Sequence, residues 1–384
     1  MKVLHLSRDE KFIDSVIFQF ENCFPKKNDY LIFLSEGQHS KNPKYVKTKS
    51  EAVKIIETND FEINRIKRMQ YEYDFICFHG IEYFAARTIL ALDEKIKIIW
   101  FLFGYEVHNN PRIVNKQNNY ASLTLKYYKK QNWFKELIRP IYYLFRSNNR
   151  EPFFLVKKAI ERCNYCGILY KEEFHDVKEK VGLDNIEFLK FSYYPIEYIV
   201  DEDLKVRGSN ILIGNSATAT NNHLDVFEKI KHIDLKDSKL IVPLSYGTKS
   251  YGDFIDERGK EIFKNSFYPL LDFMPLKDYT NLISSCKIVI MANYRQQAVG
   301  NVLAMLYMGA KVYLSKSNTL FSYLKRIGIS VFSIEDDLRK DNNNVFKGLS
   351  DTEIINNRQV LREEVGQVKL AKELQTFFSP KNEP

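Results

Sequence analysis

The sharpest chemical signal in the sequence is a polar turn between a strand and a helix. Ile288-Val289-Ile290-Met291 is an apolar run, Ala292-Asn293-Tyr294-Arg295-Gln296-Gln297 is polar, and Val299, Val302, Leu303 and Leu306 then recur at helical spacing until Gly309. Arg295, Gln296 and Gln297 therefore stand at a helix N-terminus. Unpaired backbone N–H groups and the helix dipole make such a place an anion site, and the planar guanidinium of Arg295 suits a phosphate. The same residues would also serve to cap a helix facing water.

Two further loops follow apolar runs in the same way. After Ile211-Leu212-Ile213, Gly214 allows a sharp turn, and Asn215, Ser216 and Thr218 offer small polar groups to a phosphate or a sugar hydroxyl. Asn221 or Asn222 is placed to cap the helix that follows. After Lys239–Pro243 comes Leu244-Ser245-Tyr246-Gly247, in which Tyr246 is set either to stack on a base or to pack.

In the first half, Phe78-His79-Gly80 and Trp100–His108 also follow strands, so His79 and Glu106 are candidates for a general base toward an acceptor hydroxyl. A histidine so placed serves equally well as a hydrogen-bonded structural residue. Residues 126–158 carry nine basic side chains (Lys126, Lys129, Lys130, Lys135, Arg139, Arg146, Arg150, Lys157, Lys158) against two acidic ones, with Tyr, Trp and Phe interleaved. This mixture predicts attachment to an anionic membrane surface, or else a solvated inter-helix region with aromatic packing. Nucleic acid is not the expected partner, because a net charge of +8 over 384 residues is modest.

Positioning these residues requires alternating strands and helices. Apolar runs at Val3–Leu6, Tyr30–Leu34, Phe75–Phe78 and Ile96–Phe101 are separated by helical patterns such as Glu51–Glu57 and Ala85–Leu92. A second series comprises Asn210–Ile213, Lys239–Pro243, Lys287–Met291 and Lys311–Leu314. The alternation predicts an α/β protein with two Rossmann-type parallel-sheet domains facing across a cleft, at 1–205 and 206–355, joined through Asp201–Ser209. A C-terminal helix over 356–384 is expected to pack back on the first domain.

The five cysteines lie mostly in apolar runs and read as reduced thiols; Cys163-x-x-Cys166 has no partner motif for zinc. With no signal-peptide pattern and no 18-residue apolar stretch, an intracellular, non-spanning chain is expected.

Over residues 208–340 the sequence resembles the 4-α-L-fucosyltransferase family, which includes the bacterial TDP-N-acetylfucosamine:lipid II N-acetylfucosaminyltransferases. The likeness lies in Ile211–Ser216 with Asn222-His223, in Val242-Pro243-Leu244-Ser245-Tyr246, and in Arg295-Gln296-Gln297-Ala298-Val299-Gly300. It implies a GT-B glycosyltransferase that needs no metal at the diphosphate. The implied donor is a dTDP-linked deoxy-amino or fucose-like sugar, and the implied acceptor is an undecaprenyl-linked saccharide of surface polysaccharide synthesis. The implied location is the cytoplasmic face of the bacterial inner membrane, peripherally bound. Gly214, Asn215, Ser216, Tyr246, Arg295, Gln296, Gln297 and Gly300 would then bind the donor, with Arg295 also catalytic. Two other readings stay open: a sugar-nucleotide enzyme such as an epimerase on the same fold, and a non-catalytic sugar-nucleotide-binding protein.

Overall fold

The computed structural model describes residues 1–34, 42–131, 151–339 and 344–379. These divide into two compact units, one made of 1–114, 151–195 and 367–379, the other of 115–131 and 196–366. In the first unit the chain runs to residue 195 and returns at 367. Ile196–Ile199 forms a short helix that packs on the helix Val299–Met308 of the second unit.

The first unit is built on seven parallel strands: β1 (Val3–Arg8), β2 (Asn28–Phe33), β3 (Val53–Ile56), β4 (Phe75–His79), β5 (Ile98–Phe101), β6 (Tyr165–Ile168) and β7 (Glu187–Lys190). Their spatial order is β3-β2-β1-β4-β5-β6-β7. Both faces are covered, as an all-parallel sheet requires. Strand alternation sends Leu4, Leu6, Ile76, Phe78 and Trp100 to one core and Val3, Tyr30, Cys77, Ile99 and Phe101 to the other. The helix Gln367–Phe378 belongs to this unit, where Phe378 meets Phe20, Phe24 and Phe75 edge-on. A break at Gly366 separates it from the helix Asp351–Val365 of the second unit.

The helical pattern expected over Glu51–Glu57 is not realised. Its apolar residues form β3, which adds to β2 as an edge strand with Lys54 and Ile55 exposed. Burial of Ile56 and pairing with β2 outweigh the local periodicity there.

The second unit has six parallel strands: β8 (Asn210–Ile213), β9 (Leu240–Pro243), β10 (Phe267–Leu270), β11 (Cys286–Met291), β12 (Lys311–Leu314) and β13 (Phe332–Ser333). The order β10-β9-β8-β11-β12-β13 reverses direction between β8 and β11. Ligands of open α/β sheets bind at this switch point, outside the strand carboxyl ends.

Residues 115–131 come from the first half of the sequence but belong to the second unit. Residues 122–131 are helical. The Asp225 carboxylate caps their start, accepting from the Leu123 N–H (2.8 Å), the Thr124 N–H (3.0 Å) and the Thr124 hydroxyl (2.7 Å). Tyr127 stacks on Phe254 with ring centroids 4.3 Å apart.

Candidate functional site

Three loops expected to hold a ligand meet at the carboxyl ends of β8, β9 and β11. Gly214 ends β8 with φ +66°, and a Cβ there would lie 2.7 Å from His223 Nε2 and 3.1 Å from Asn221 Oδ1, so the turn needs glycine. Its N–H donates to the Ile290 carbonyl of β11. Asn215 and Ser216 are both buried. The Ser216 hydroxyl is shared with Thr218 Oγ1 and Asn221 Nδ2, which makes it part of the turn's internal wiring.

The β11 loop joins this network. Gln297 Nε2 donates to Asn215 Oδ1 (3.0 Å), Thr220 Oγ1 donates to Gln297 Oε1 (2.8 Å), and Asn293 Nδ2 donates to the Thr220 carbonyl (3.1 Å). Gln297 is therefore tied to the β8 loop. From β9, the Tyr246 hydroxyl accepts from Asn215 Nδ2 (3.0 Å) while the ring stays 56 % exposed.

Arg295 is half-buried, and its Nη1 donates to the Gln296 carbonyl (3.2 Å). Beyond it Ala298 adopts φ +56° and the helix Val299–Met308 begins with no side-chain cap, so its first N–H groups face the loop region unoccupied by a capping oxygen. Gly300 has nothing within 4 Å of a hypothetical Cβ, leaving open space at this helix start. Gly309 stops the helix at φ +98°.

Other asparagines hold these loops in place. Asn318, after β12, donates from Nδ2 to the Asn293 and Arg295 carbonyls (3.1 and 2.9 Å) and so fixes the backbone that carries the guanidinium. Asn222 stands at the start of the helix His223–Ile230, but its side chain does not cap it. It sits in the left-handed region (φ 52°), donates to the Ala292 carbonyl (2.7 Å) and accepts from the Ala121 N–H (2.9 Å). Asn221, the other expected cap, is spent inside the β8 turn. Burial lowers the His223 pKa to about 3, so its ring is neutral.

In the first unit, His79 ends β4 and lies buried against Phe101, with rings parallel and centroids 4.7 Å apart. Its Nε2 is 3.1 Å from His5 Nδ1, and burial, with the neighbouring His5, pushes its pKa well down. Glu106 is buried beneath the β5 loop, where one carboxylate oxygen accepts from Trp100 Nε1 (2.8 Å) and the Phe103 N–H (3.0 Å). Burial raises its pKa. Both side chains are almost fully buried among these contacts. A charged group at these strand ends that the sequence did not mark is half-buried Arg8 at the end of β1. It pairs with Glu10 and with Glu82 (3.3 Å). Phe12, Phe103 and Tyr193 cluster nearby.

Cys163 and Cys166 are buried free thiols whose pKa values burial pushes up. Among the described residues no group of three or more His, Cys, Asp or Glu is placed to hold a metal ion. Within the basic aromatic stretch, residues 132–150 lie outside the described residues, including Lys135, Arg139, Arg146 and Arg150. Of the rest, Lys126, Lys129 and Lys130 are exposed, whereas Tyr127 and Tyr128 pack on Phe254 and Tyr120. Among the described residues no helix is long and apolar enough to cross a membrane.

The loops after β8, β9 and β11 lie within residues 193–360, which match the sequence model of the 4-alpha-L-fucosyltransferase family, glycosyl transferase group 56. The protein is a glycosyltransferase. Its fold is shared with Anabaena HepE crystallised with UDP and glucose, at 9 % identity and TM-score 0.62 over 99 % of this chain and 100 % of that one. Sucrose-phosphate synthase from Thermosynechococcus elongatus gives TM-score 0.64 at 9 % identity over 98 % of each chain. A glycosyltransferase from Rickettsia africae gives 0.63 at 13 % identity over 100 % of each. The glycosyltransferase fold is GT-B, with two Rossmann-type units.

Proposed function

We propose that this glycosyltransferase takes a deoxy-amino or fucose-like hexose from a dTDP-sugar and adds it to an undecaprenyl-linked saccharide in surface polysaccharide synthesis. The observation that carries the donor half is the meeting of Arg295, the uncapped helix start at Val299 and the Gly214 turn at the β8/β11 switch point. A pyrophosphate fits that set, since backbone N–H groups and one guanidinium face an acceptor-rich dianion. The family matched over residues 193–360 and the UDP bound by Anabaena HepE support a nucleotide-sugar donor.

As the glycosidic bond to the leaving oxygen breaks, negative charge grows on the departing diphosphate. Arg295 and the first N–H groups of the helix stabilise that charge more in the transition state than in the bound donor. Asn318 keeps the Arg295 backbone in place during this step. The acceptor is assigned to the first unit at the ends of β1, β4 and β5, where aromatic faces and the Arg8 ion pairs suit a sugar. His79 and Glu106 receive no contact with it.

Replacing Arg295 with Ala tests the donor site. The proposal expects kcat/KM with the dTDP-sugar to fall by about 10²–10³-fold, with stability changed by less than about 1 kcal/mol because the side chain is only half-buried. An unchanged rate refutes the assignment. For the proposed peripheral membrane location on the cytoplasmic face, exposed Lys126, Lys129 and Lys130 supply the attraction to anionic headgroups. Liposome co-sedimentation of a variant with Lys129, Lys130, Arg139 and Arg146 changed to Glu should show lost binding, and retained binding sinks that location.

A further inference from the structure

Tyr246 is held at both ends. Its carbonyl accepts from the Ala217 N–H (2.8 Å), and the Ala217 carbonyl accepts from the Thr248 N–H (2.8 Å). Between them Gly247, at φ +120°, comes so close to Ala217 that a Cβ would lie 2.5 Å from its carbonyl oxygen. The backbone of this exposed tyrosine is thus clamped to the β8 loop before any ligand arrives.

Its hydroxyl is held too, at the end of a chain of hydrogen bonds that starts at Asn221. Asn221 can be oriented only one way, because the Asn215 N–H donates to its Oδ1 (3.3 Å) while its Nδ2 donates to the Ser216 carbonyl (2.9 Å). That Nδ2 also donates to Thr218 Oγ1 (3.0 Å), so Thr218 is an acceptor there. Gln297 Nε2 faces Thr218 Oγ1 (3.4 Å), and Gln297 Oε1 accepts from the Thr220 hydroxyl (2.8 Å). Gln297 Nε2 then donates to Asn215 Oδ1 (3.0 Å), and Asn215 Nδ2 donates to the Tyr246 oxygen (3.0 Å). With its oxygen accepting from Asn215, the tyrosine must point its own proton elsewhere. Among the described residues no acceptor takes it.

We propose that Tyr246 is a hydrogen-bond donor to the diphosphate of the bound nucleotide, aimed by the relay from Asn221 through Gln297 and Asn215. A phosphate oxygen is an acceptor only, so a hydroxyl whose proton is already turned outward matches it without reorganisation. This inference rests on the donor site proposed above and changes the part played by two of its residues. Gln297 and Asn215 become positioning residues, their amides spent on orienting Tyr246, and Tyr246 touches the ligand through its hydroxyl rather than by stacking on the base.

Calorimetry on the full chain with dTDP and with thymidine tests this. Tyr246→Phe should weaken dTDP binding by about tenfold to a hundredfold, the loss expected for a hydrogen bond to a charged group, and leave thymidine binding unchanged. Gln297→Met should weaken dTDP binding in the parent and have no further effect in the Tyr246→Phe background. Equal dTDP affinity for Tyr246→Phe and parent overturns the proposal, as does an equal loss for thymidine, which would mark a base contact. Additive losses in the double variant would make Gln297 a direct ligand and also overturn it. A parent protein that binds no nucleoside diphosphate fails the donor site itself, which is a separate result.

Discussion

Asn222 is the joint between the donor loops and the segment that crosses from the first half of the sequence, and its removal has a calculable cost. The residue is fully buried in the left-handed region at φ 52°. Its amide satisfies the Ala292 carbonyl (2.7 Å), the Asn119 carbonyl (3.3 Å) and the Ala121 N–H (2.9 Å). Asn222→Ala strands these three groups. At about 1–3 kcal/mol per buried unpaired group, and less for the long bond to Asn119, the loss is about 3–6 kcal/mol. Ala must also hold a left-handed backbone, which costs about 1 kcal/mol. Asn222→Gly loses the same bonds without that strain, so it should be the more stable of the two by about 1 kcal/mol. Urea unfolding followed by circular dichroism measures both, and amide hydrogen exchange over residues 121–131 should accelerate in both variants. A loss below about 1 kcal/mol, equal stability of the Ala and Gly variants, or unchanged exchange in that segment would refute the reasoning.

Gly214→Ala forces a Cβ within 2.7 Å of buried His223 and a left-handed backbone on alanine. It should cost about 2–4 kcal/mol in stability and weaken dTDP binding in calorimetry; a variant as stable as the parent contradicts the turn geometry. His5 and His223 have folded pKa values lowered from 6.5 to about 3 by burial. Each therefore binds fewer protons folded than unfolded, and its contribution is complete above pH 6.5 and lost as pH falls toward 3. At pH 5 the loss is about 2 kcal/mol per histidine, so the urea midpoint should drop between pH 7 and pH 5. A flat midpoint over that interval contradicts burial of the two rings. Glu106→Gln keeps a carbonyl to accept from Trp100 Nε1 and the Phe103 N–H. Its turnover should stay within about threefold of the parent, whereas a loss of 10² or more, in the range of a general base, would restore that role.

The central strands of both sheets were readable because parallel strands buried on both faces leave continuous apolar runs, as Phe75–Phe78 and Lys287–Met291 do. The outer strands left weaker marks. β7 reads Glu-Phe-Leu-Lys with its ends exposed or half-exposed, β10 contains Pro269, tolerated only because β10 is an edge, and β3 lies in a stretch of helical spacing. The donor loops were legible as strand, polar turn and helix. What that pattern could not show is which amides bind a ligand and which bind each other. Gln297 and Asn215 look alike in sequence to residues that face a phosphate, and only their mutual 3.0 Å bond shows them engaged. His79 and Glu106 had the right types at the right strand ends, but His79 is buried against Phe101 and His5, partners set by sheet register, and Glu106 turns back onto Trp100 of the preceding strand. Asp225 and Asn318 gave no sign and Asn222 read only as a helix cap, because their partners lie on other loops, 101–102 residues away for the contacts Asn222 and Asp225 make with Ala121, Leu123 and Thr124.

The central claim is that the second unit holds the diphosphate of a nucleotide-sugar whose hexose passes to a lipid-linked saccharide. The most direct test incubates the protein with dTDP-, UDP- and GDP-sugars and follows release of free nucleoside diphosphate with and without an undecaprenyl-linked acceptor. The account predicts acceptor-dependent release of dTDP from a deoxy-amino or fucose-like donor, lost in Arg295→Ala. Conversion of the sugar-nucleotide without diphosphate release would point to an epimerase, and binding without turnover to a non-catalytic role; either would contradict it.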